Sequence, residues 1–576
     1  MEKSNLKNLI DAAAGRIPAE LVLKGGTIAD VYSGVFVEAD LAIHNGKIAG
    51  IGRYSGKNEV DARGLFLLPG FIDTHIHIES SHLRPQELGR LLVPCGTSTI
   101  ISDPHEIVNV AGLAALKYMI SAAEKTALDI KFSLPSCVPA TPFETSGAKI
   151  EAKDMLSPLQ DANIIGLGEF MDYYGVINAE DSVLEKLIAA KKARVLIDGH
   201  SPGVHANALN AYIAPGILND HECETEDDAR ERVMRGMFVM LRQGSACHDF
   251  ERLIGAVNAQ NERRFVFCSD DIQPKTIFEE GHINRHLRMA IKAGLPAISA
   301  IRMATLNAAE CFRLFDRGGI APGLRADITL VSNITDFKAE KVYIEGKLTA
   351  ENGKYLPPVE FCDDSAVRSS FHVKDFSQEK LRLFLKKDEV FVIDMSPGSI
   401  VTGKTKLKVQ RNSNGEFVYN NEADIIKIAV IERHHSTGEA ACALLRGYGL
   451  KKGAIALSIA HDSHNIICVG ANDNDMALAV RELIASSGGI YIAENGAIKA
   501  ALPLPIAGLI SDKDGKWVEA RLNEVHSAAK ALGVKDGIDP VITLCFMSLP
   551  VIPHIKLTCR GLFDTASGGF IPIEVP

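Results

Sequence analysis

Near-continuous apolar strands alternate with amphipathic helices from about residue 66 to about residue 315 of this chain. Residues 98–103, 163–169, 194–200 and 264–271 are four such strands. Strands that are apolar on both faces are typical of a parallel sheet covered by helices on each side. About 250 residues of this pattern predict an α/β fold built on a (β/α)8 TIM barrel.

The strands of the predicted barrel end in ionisable side chains. His75 and His77 close the first strand and project to the same side, because side chains alternate along a strand. Since barrel chemistry lies at the carboxyl ends of strands, the later strand ends are expected to meet them. These ends predict a site for one or two divalent ions, held by His75, His77, Glu169, His200, His221 and Asp270.

The metal itself is left open by these residues. Mixed nitrogen and oxygen ligands suit Mn, Fe or Zn. A carboxylate such as Glu169 can bridge two ions about 3.5–4 Å apart.

Short strands with turns flank the predicted barrel on both sides, and we expect the two flanks to pair into one small β-sandwich domain. The predicted organisation is 1–65 for the first half of this domain, 66–315 for the barrel and 316–358 for the second half. A polar linker at 359–380 then leads to a C-terminal α+β domain at 381–576.

Composition excludes several classes of function. The formal net charge of -10 argues against a nucleic-acid partner, because phosphate binding needs a basic face. The eleven cysteines form no CxxC pair and do not suit a disulfide framework. No secretory signal and no uncharged apolar stretch of membrane-spanning length are found. We therefore expect a cytoplasmic protein with no membrane or nucleic-acid partner, and a homodimer or higher homo-oligomer is expected as the commonest assembly.

Several longer motifs carry a family resemblance over nearly the whole chain. They are PGFIDTHIHIESS at 69–81, DPHEI at 103–107, DHEC at 220–223, CSDD at 268–271, ERHH at 432–435, AHDSHN at 460–465 and LPLPIAG at 502–508. The barrel motifs resemble the amidohydrolase superfamily, and together with the C-terminal motifs the chain resembles the adenine deaminases within it.

The resemblance implies hydrolytic deamination of adenine to hypoxanthine and ammonia, in purine salvage or catabolism, with two ions, Mn or Fe. By similarity, His75 and His77 bind the more buried ion, Glu169 bridges, and His200 and His221 hold the second ion. Asp270 is then both a metal ligand and a proton acceptor, and Asp271 contacts the purine. The proton shuttle is Glu222 or Glu106, and both stay open. His105 and Gln273 are further candidates for substrate binding.

One position departs from the family pattern. Gln273 stands where the adenine deaminases carry a histidine, and glutamine forms hydrogen bonds but does not titrate. Activity on adenine is then expected to be weak or redirected if that histidine contacts the substrate.

Two other functions compete with deamination of adenine. A related amidohydrolase could act on another amino-heterocycle or a cyclic amide, but cyclic amidases bridge their metals with a modified lysine, whereas Glu169 occupies this slot here. An inactive assembly barrel is disfavoured because the metal histidines are all present. For the C-terminal histidines we favour a structural or lid role over a further metal site; they are His434, His435, His461 and His464.

Overall fold

The computed structural model of the protein describes residues 2–368, 370–396, 399, 401–420 and 423–576. Eight parallel strands form a barrel at its centre, and the eighth is built from two pieces. The strands are Phe71–His77, Thr97–Ser102, Asp129–Leu134, Ile164–Phe170, Leu196–Gly199, Asn219–Asp220, Phe238–Arg242, and Phe265–Cys268 with Asp270–Asp271. The first piece of the eighth strand pairs with the seventh strand and the second piece with the first strand, so the eighth strand joins the two parallel sheets of the barrel. At the other junction of these sheets, the Leu218 N–H donates to the Ile197 backbone oxygen at 3.1 Å. The predicted (β/α)8 fold is confirmed.

Helices surround the barrel and follow its strands. The helix Glu226–Met234 begins at Thr225, whose hydroxyl accepts from the Asp228 N–H, while the Asp228 carboxylate accepts from the Thr225 N–H. The helices are Pro85–Leu92, His105–Ala123, Ala152–Met155, Tyr173–Ile177, Asp181–Ala193, Ala206–Ile213, Glu226–Met234, Phe250–Leu253, Pro274–Glu280, Ile283–Lys292, Ala297–Ala304 and Leu306–Cys311.

One of these helices, His105–Ala123, is long and apolar enough to cross a membrane by length and composition; no other helix in the described part of the chain is. It is 56% buried inside the protein over its most apolar stretch. Non-helical torsion angles at Gly112 also interrupt it. These features are typical of a core helix.

Nine strands from both ends of the barrel sequence form one flanking sheet. They are Ala19–Asp30, Val35–His44, Lys47–Gly52, Gly56–Asp61, Phe66–Pro69, Ile328–Val331, Ala339–Ile344, Lys347–Glu351 and Lys354–Tyr355. The two flanks join where Phe66–Pro69 pairs antiparallel with Ile328–Val331. The segment 66–69, expected to open the barrel, therefore lies in this sheet, because its pairing partner is a flanking strand.

Glycines act differently at two places in this sheet. Adjacent glycines often end a strand, but Ala19–Asp30 continues through Gly25 and Gly26, with a bulge between Leu23 and Gly26 that absorbs the irregularity. At Asn45 and Gly46, in contrast, both residues have positive φ, and they form the two-residue hairpin turn that this dipeptide favours.

The C-terminal domain contains an eight-stranded sheet and two long helices. The strands are Glu389–Asp394, Gly403–Lys408, Ile425–Ile431, Ala440–Arg446, Ala454–Leu457, Ile466–Gly470, Gly489–Glu494 and Ala497–Pro503. The helices are Asp473–Ala485 and Gly515–Ala531, and a three-stranded sheet follows at Ile555–Thr558, Gly561–Asp564 and Gly569–Phe570. Buried apolar side chains of the barrel and of this domain form one continuous core. The connection at 359–380 is held against the barrel, since Arg84 forms a 2.5 Å ion pair with Asp364.

Candidate metal centre

The carboxyl ends of the barrel strands bring the six predicted metal ligands together. They come from the first, fourth, fifth, sixth and eighth strands or from the residues directly after them. All are buried except His200, which is partly exposed. These residues are His75, His77, Glu169, His200, His221 and Asp270.

Glu169 lies between two pairs of histidines. Its Oε1 is 3.4 Å from His77 Nε2 and 3.9 Å from His75 Nε2. Its Oε2 is 2.6 Å from His200 Nδ1 and 3.3 Å from His221 Nε2. Burial raises the pKa of Glu169, but the charges and hydrogen bonds of His200 and His221 outweigh burial and hold the pKa well below its usual value. An ionised carboxylate with one oxygen toward each pair has the arrangement of a bridging ligand.

The donor atoms of this cluster fit divalent cations. The Nε2 atoms of His75 and His77 are buried and 3.1 Å apart, and Asp270 Oδ1 is 3.0 Å from His77 Nε2. Two ligand atoms bound to one ion at about 2.1 Å are about 3 Å or more apart, so this spacing suits a shared cation. His75, Glu169 and His221 also form a group whose ligand atoms all lie within 4.8 Å of one another.

Asp103 orients two of the predicted ligands from behind, and Asp198 lies near a third. His77 Nδ1–H donates to the backbone oxygen of Asp103 at 2.9 Å, and the Asp103 carboxylate accepts from the Glu169 N–H at 2.9 Å. Asp198 Oδ2 lies 3.6 Å from His75 Nδ1. Such outer contacts fix the tautomer and direction of metal-binding imidazoles. The sequence analysis gave Asp198 no role, although its position two residues before His200 on the same strand was the available signal.

Two neighbouring residues of the DPHEI motif take different positions. His105 Nδ1 lies 3.3 Å from Glu169 Oε1, so this predicted substrate residue stands against the central carboxylate. Glu106 lies beside it and contacts His461 and His464 of the C-terminal domain. The roles of both residues stay predictions.

Asp271 lines the cavity that contains the predicted metal ligands, whereas Gln273 lines a smaller adjoining pocket that Asp271 also borders. Ser80 Oγ donates to Asp271 Oδ1 at 2.5 Å, and the Gln273 N–H donates to Ser245 Oγ at 2.9 Å. Burial and the adjacent Asp270 charge raise the pKa of Asp271. The pKa values of the two consecutive aspartates therefore shift in opposite directions. The pKa of Asp270, among the predicted ligands, is lowered, and that of Asp271, beside the cavity, is raised.

Arg242, which the sequence analysis missed, binds three carboxylates. Its guanidinium donates to both oxygens of Glu222, to Asp270 Oδ2 at 3.0 Å and to Asp249 Oδ2 at 2.7 Å. Burial raises the pKa of Glu222, but the Arg242 charge and His200 outweigh burial and hold that pKa well below its usual value. Arg242 ends the seventh strand, so its strand-end position was the signal that could have found it.

A cavity of about 330 Å³ opens above these residues at the mouth of the barrel. Its floor is formed by the ligands, and its walls include Glu106, Asp270 and Asp271. The C-terminal domain covers it with Phe546, Leu549 and the segment 551–553. The site is therefore completed by two domains.

A (β/α)8 barrel with histidines and carboxylates gathered at its strand ends defines a metal-dependent hydrolase. Residues 66–349 match the Amidohydrolase family, and residues 399–568 match the Adenine deaminase C-terminal domain. The chain is 55% identical over 575 residues to "Adenine deaminase 2" of Desulfotalea psychrophila, with 100% of both chains covered. It is 47% identical over 577 residues to "Adenine deaminase" of Ligilactobacillus salivarius, again with 100% of both chains covered. The chain belongs to the adenine deaminase family, as the motifs at 69–81 and in the C-terminal domain predicted.

Proposed function

We propose that the protein hydrolyses adenine to hypoxanthine and ammonia. The observation that carries this proposal is the placement of Asp270 and Asp271. The first lies among the metal ligands, and the second borders the adjoining cavity with a raised pKa. A purine in that cavity meets both groups, and the chain's full-length likeness to the adenine deaminases supports adenine as the base.

We propose that the centre takes two divalent ions, Mn or Fe by family likeness. His75 and His77 would hold the first with Asp270, His200 and His221 would hold the second, and Glu169 would offer one carboxylate oxygen to each. When bound, the ions supply an activated water near neutral pH by lowering the pKa of that water.

Two carboxylates then move the protons. The water oxygen adds to C6 of adenine while Glu106 takes a proton from that water. Glu106 then delivers this proton to ring N1. Asp270 takes the remaining proton of the new hydroxyl and passes it to the amino group, so that the C6–N bond breaks and ammonia leaves. Both carboxylates begin and end ionised, which agrees with the direction of both pKa shifts.

Glu106 is favoured over Glu222 as the first proton carrier. Both oxygens of Glu222 accept from Arg242, a permanently charged group that makes protonation of the carboxylate costly. The partners of Glu106 are two imidazoles, side chains that, unlike a guanidinium, can exist without a positive charge. We expect Glu106→Gln to lower kcat about 10³-fold and Glu222→Gln about 10-fold, within the range of general acid–base effects. Equal losses in steady-state assays would contradict this choice.

Asp271 recognises the base. Burial and the Asp270 charge raise the pKa of the Asp271 carboxyl group, which favours the protonated form that donates to purine N7, while Ser80 holds the other side of the group. Ammonia release with adenine, adenosine, guanine and hydantoins tests the function. We expect turnover of adenine, and a fully metal-loaded protein that turns over only a hydantoin would establish the cyclic-amidase alternative instead.

A further inference from the structure

Two histidines of the C-terminal domain hold both carboxylate oxygens of Glu106. Glu106 stands at the start of the helix His105–Ala123, directly after the second barrel strand. His461 Nδ1–H donates to Oε1 at 2.5 Å, and His464 Nε2–H donates to Oε2. All three side chains are buried. A carboxylate of the barrel is thus held by residues more than 350 positions later in the chain.

The ring of His464 is fixed as a neutral donor. The Ala460 N–H donates to His464 Nδ1 at 3.2 Å, so this nitrogen carries the lone pair and the proton lies on Nε2, toward Glu106. Burial lowers the pKa of His464 to about 4. Buried Arg433 holds the same turn from behind, since it donates to the backbone oxygens of His464 and Ala507. Both the ring and the backbone of His464 are therefore set by the C-terminal domain.

His461 is held equally firmly and also faces the substrate cavity. Its N–H donates to the Cys545 backbone oxygen at 2.9 Å, and its ring stacks on Phe546 with 4.6 Å between centroids. Burial lowers the pKa of His461, but the charge of Glu106 outweighs burial and raises it to about 9. Glu106, His461 and Phe546 all line the cavity above the metal ligands. The contact between Glu106 and His461 is therefore located where a substrate binds.

Hydrogen bonding explains this cluster better than a further metal ion. The three residues offer ligand atoms close enough to be considered as a cation site. However, the carboxylate oxygens are within 2.5 Å of the ring nitrogens, whereas two ligands of one ion lie about 3 Å or more apart. An ionised carboxylate buried at this depth needs donors, and among the described residues the barrel contributes His105 Nε2, at the longer distance of 3.4 Å.

We propose that His461 and His464 are positioning residues for Glu106, so that the C-terminal domain is a working part of the active site. They hold the carboxylate in the orientation in which it carries a proton between water and the purine ring. This inference rests on the proposed function, and it assigns to the AHDSHN motif at 460–465 a role in kcat. The sequence analysis expected only a structural or lid role there.

Paired substitutions at His461 and His464 test the proposal in the metal-loaded full-length protein. We expect His461→Ala and His464→Ala each to lower kcat about 10- to 100-fold, the effect of losing a hydrogen bond to a charged group, with KM within about threefold of wild type. His461→Asn and His464→Gln should recover most of this loss, because their amide nitrogens replace Nδ1 and Nε2 respectively. His526→Gln, a histidine of the same domain outside the cluster, is the control and should match wild type.

Two further readouts separate positioning from folding and from metal binding. Hydrogen exchange of the amides at 105–108 and 459–464 should quicken in the alanine variants, while the metal content should equal that of wild type. Alanine variants with wild-type kcat would overturn the proposal. So would one ion fewer per chain in His464→Ala than in wild type, which would establish a metal site. A wild-type protein that releases no ammonia from adenine would refute the proposed function. Faster hydrogen exchange in the alanine variants would in that case still support the positioning of Glu106 by His461 and His464.

Discussion

Arg242→Met is the substitution whose effect the structure predicts most fully. Methionine keeps much of the side-chain volume but removes a guanidinium that binds Glu222, Asp249 and Asp270. Burial raises the pKa of Asp270; the hydrogen bond with His77 and the charge of Arg242 outweigh burial and hold the pKa below its usual value. Loss of the charge therefore raises the pKa of Asp270.

The size of this change follows from the 3.0 Å contact between Arg242 Nη1 and Asp270 Oδ2. Two unit charges about 4 Å apart interact by about 4 kcal/mol at an effective dielectric constant near 20, equivalent to about three pH units. Bound cations keep Asp270 ionised and reduce the effect, so we expect a rise of one to two pH units, on the order of 1.4–2.7 kcal/mol.

The assay is kcat/KM for adenine against pH. Asp270 accepts protons only when ionised, so activity is present above its pKa and is lost as the pH falls through it. In Arg242→Met the acid limb should move to higher pH, with kcat/KM lowered about 10²-fold near neutral pH because hydrogen bonds to three carboxylates are lost. Arg252→Met is the matched control, since Arg252 binds Asp249 from the solvent side. An unchanged acid limb in Arg242→Met would refute the reasoning.

Three further predictions concern the centre and its substrate. Gly168→Ala should lower the metal content, because the new Cβ would lie 2.2 Å from the Asp103 carboxylate that accepts from the Glu169 N–H. Gly166→Ala is the control and should bind metal like wild type, because its Cβ would lie 3.1 Å from the nearest atom. Gln273→His should raise kcat/KM for adenine about fivefold, since a charged donor forms a hydrogen bond about 1 kcal/mol stronger; an unchanged value would remove Gln273 from the site. Removal of the metal by a chelator should lower the melting temperature. Mn²⁺ at about 100 times its Kd should then raise the free energy of unfolding by about 2.7 kcal/mol per ion, and equal melting curves with and without metal would contradict this.

The clustering of the predicted metal ligands could be foreseen because its signal in the sequence is local. His75 and His77 stand at the end of an apolar strand, and Glu169, His200 and Asp270 each follow a similar run, so strand periodicity and the barrel rule place them together. The fold followed from the same pattern. Neither required knowledge of any contact between distant parts of the chain.

The remaining contacts join residues that are far apart in the chain, and hydrophobic periodicity gives no information about such contacts. Arg242 has a visible position at a strand end, but its three carboxylate partners become evident only once the strands are side by side. The contacts of His461 and His464 with Glu106 depend on how the C-terminal domain covers the barrel. The strand through Gly25 likewise depends on its pairing partner, because a bulge tolerates glycine where a simple turn rule would predict a break.

The central claim is that Glu169 bridges two ions, and metal titration of the apo-protein tests it most directly. Ammonia release from adenine should rise with added Mn²⁺ and reach its maximum at two ions per chain, while Glu169→Gln should bind fewer than two and release little ammonia. Full activity at one ion per chain, or a Glu169→Gln variant that keeps both ions and wild-type activity, would contradict the account.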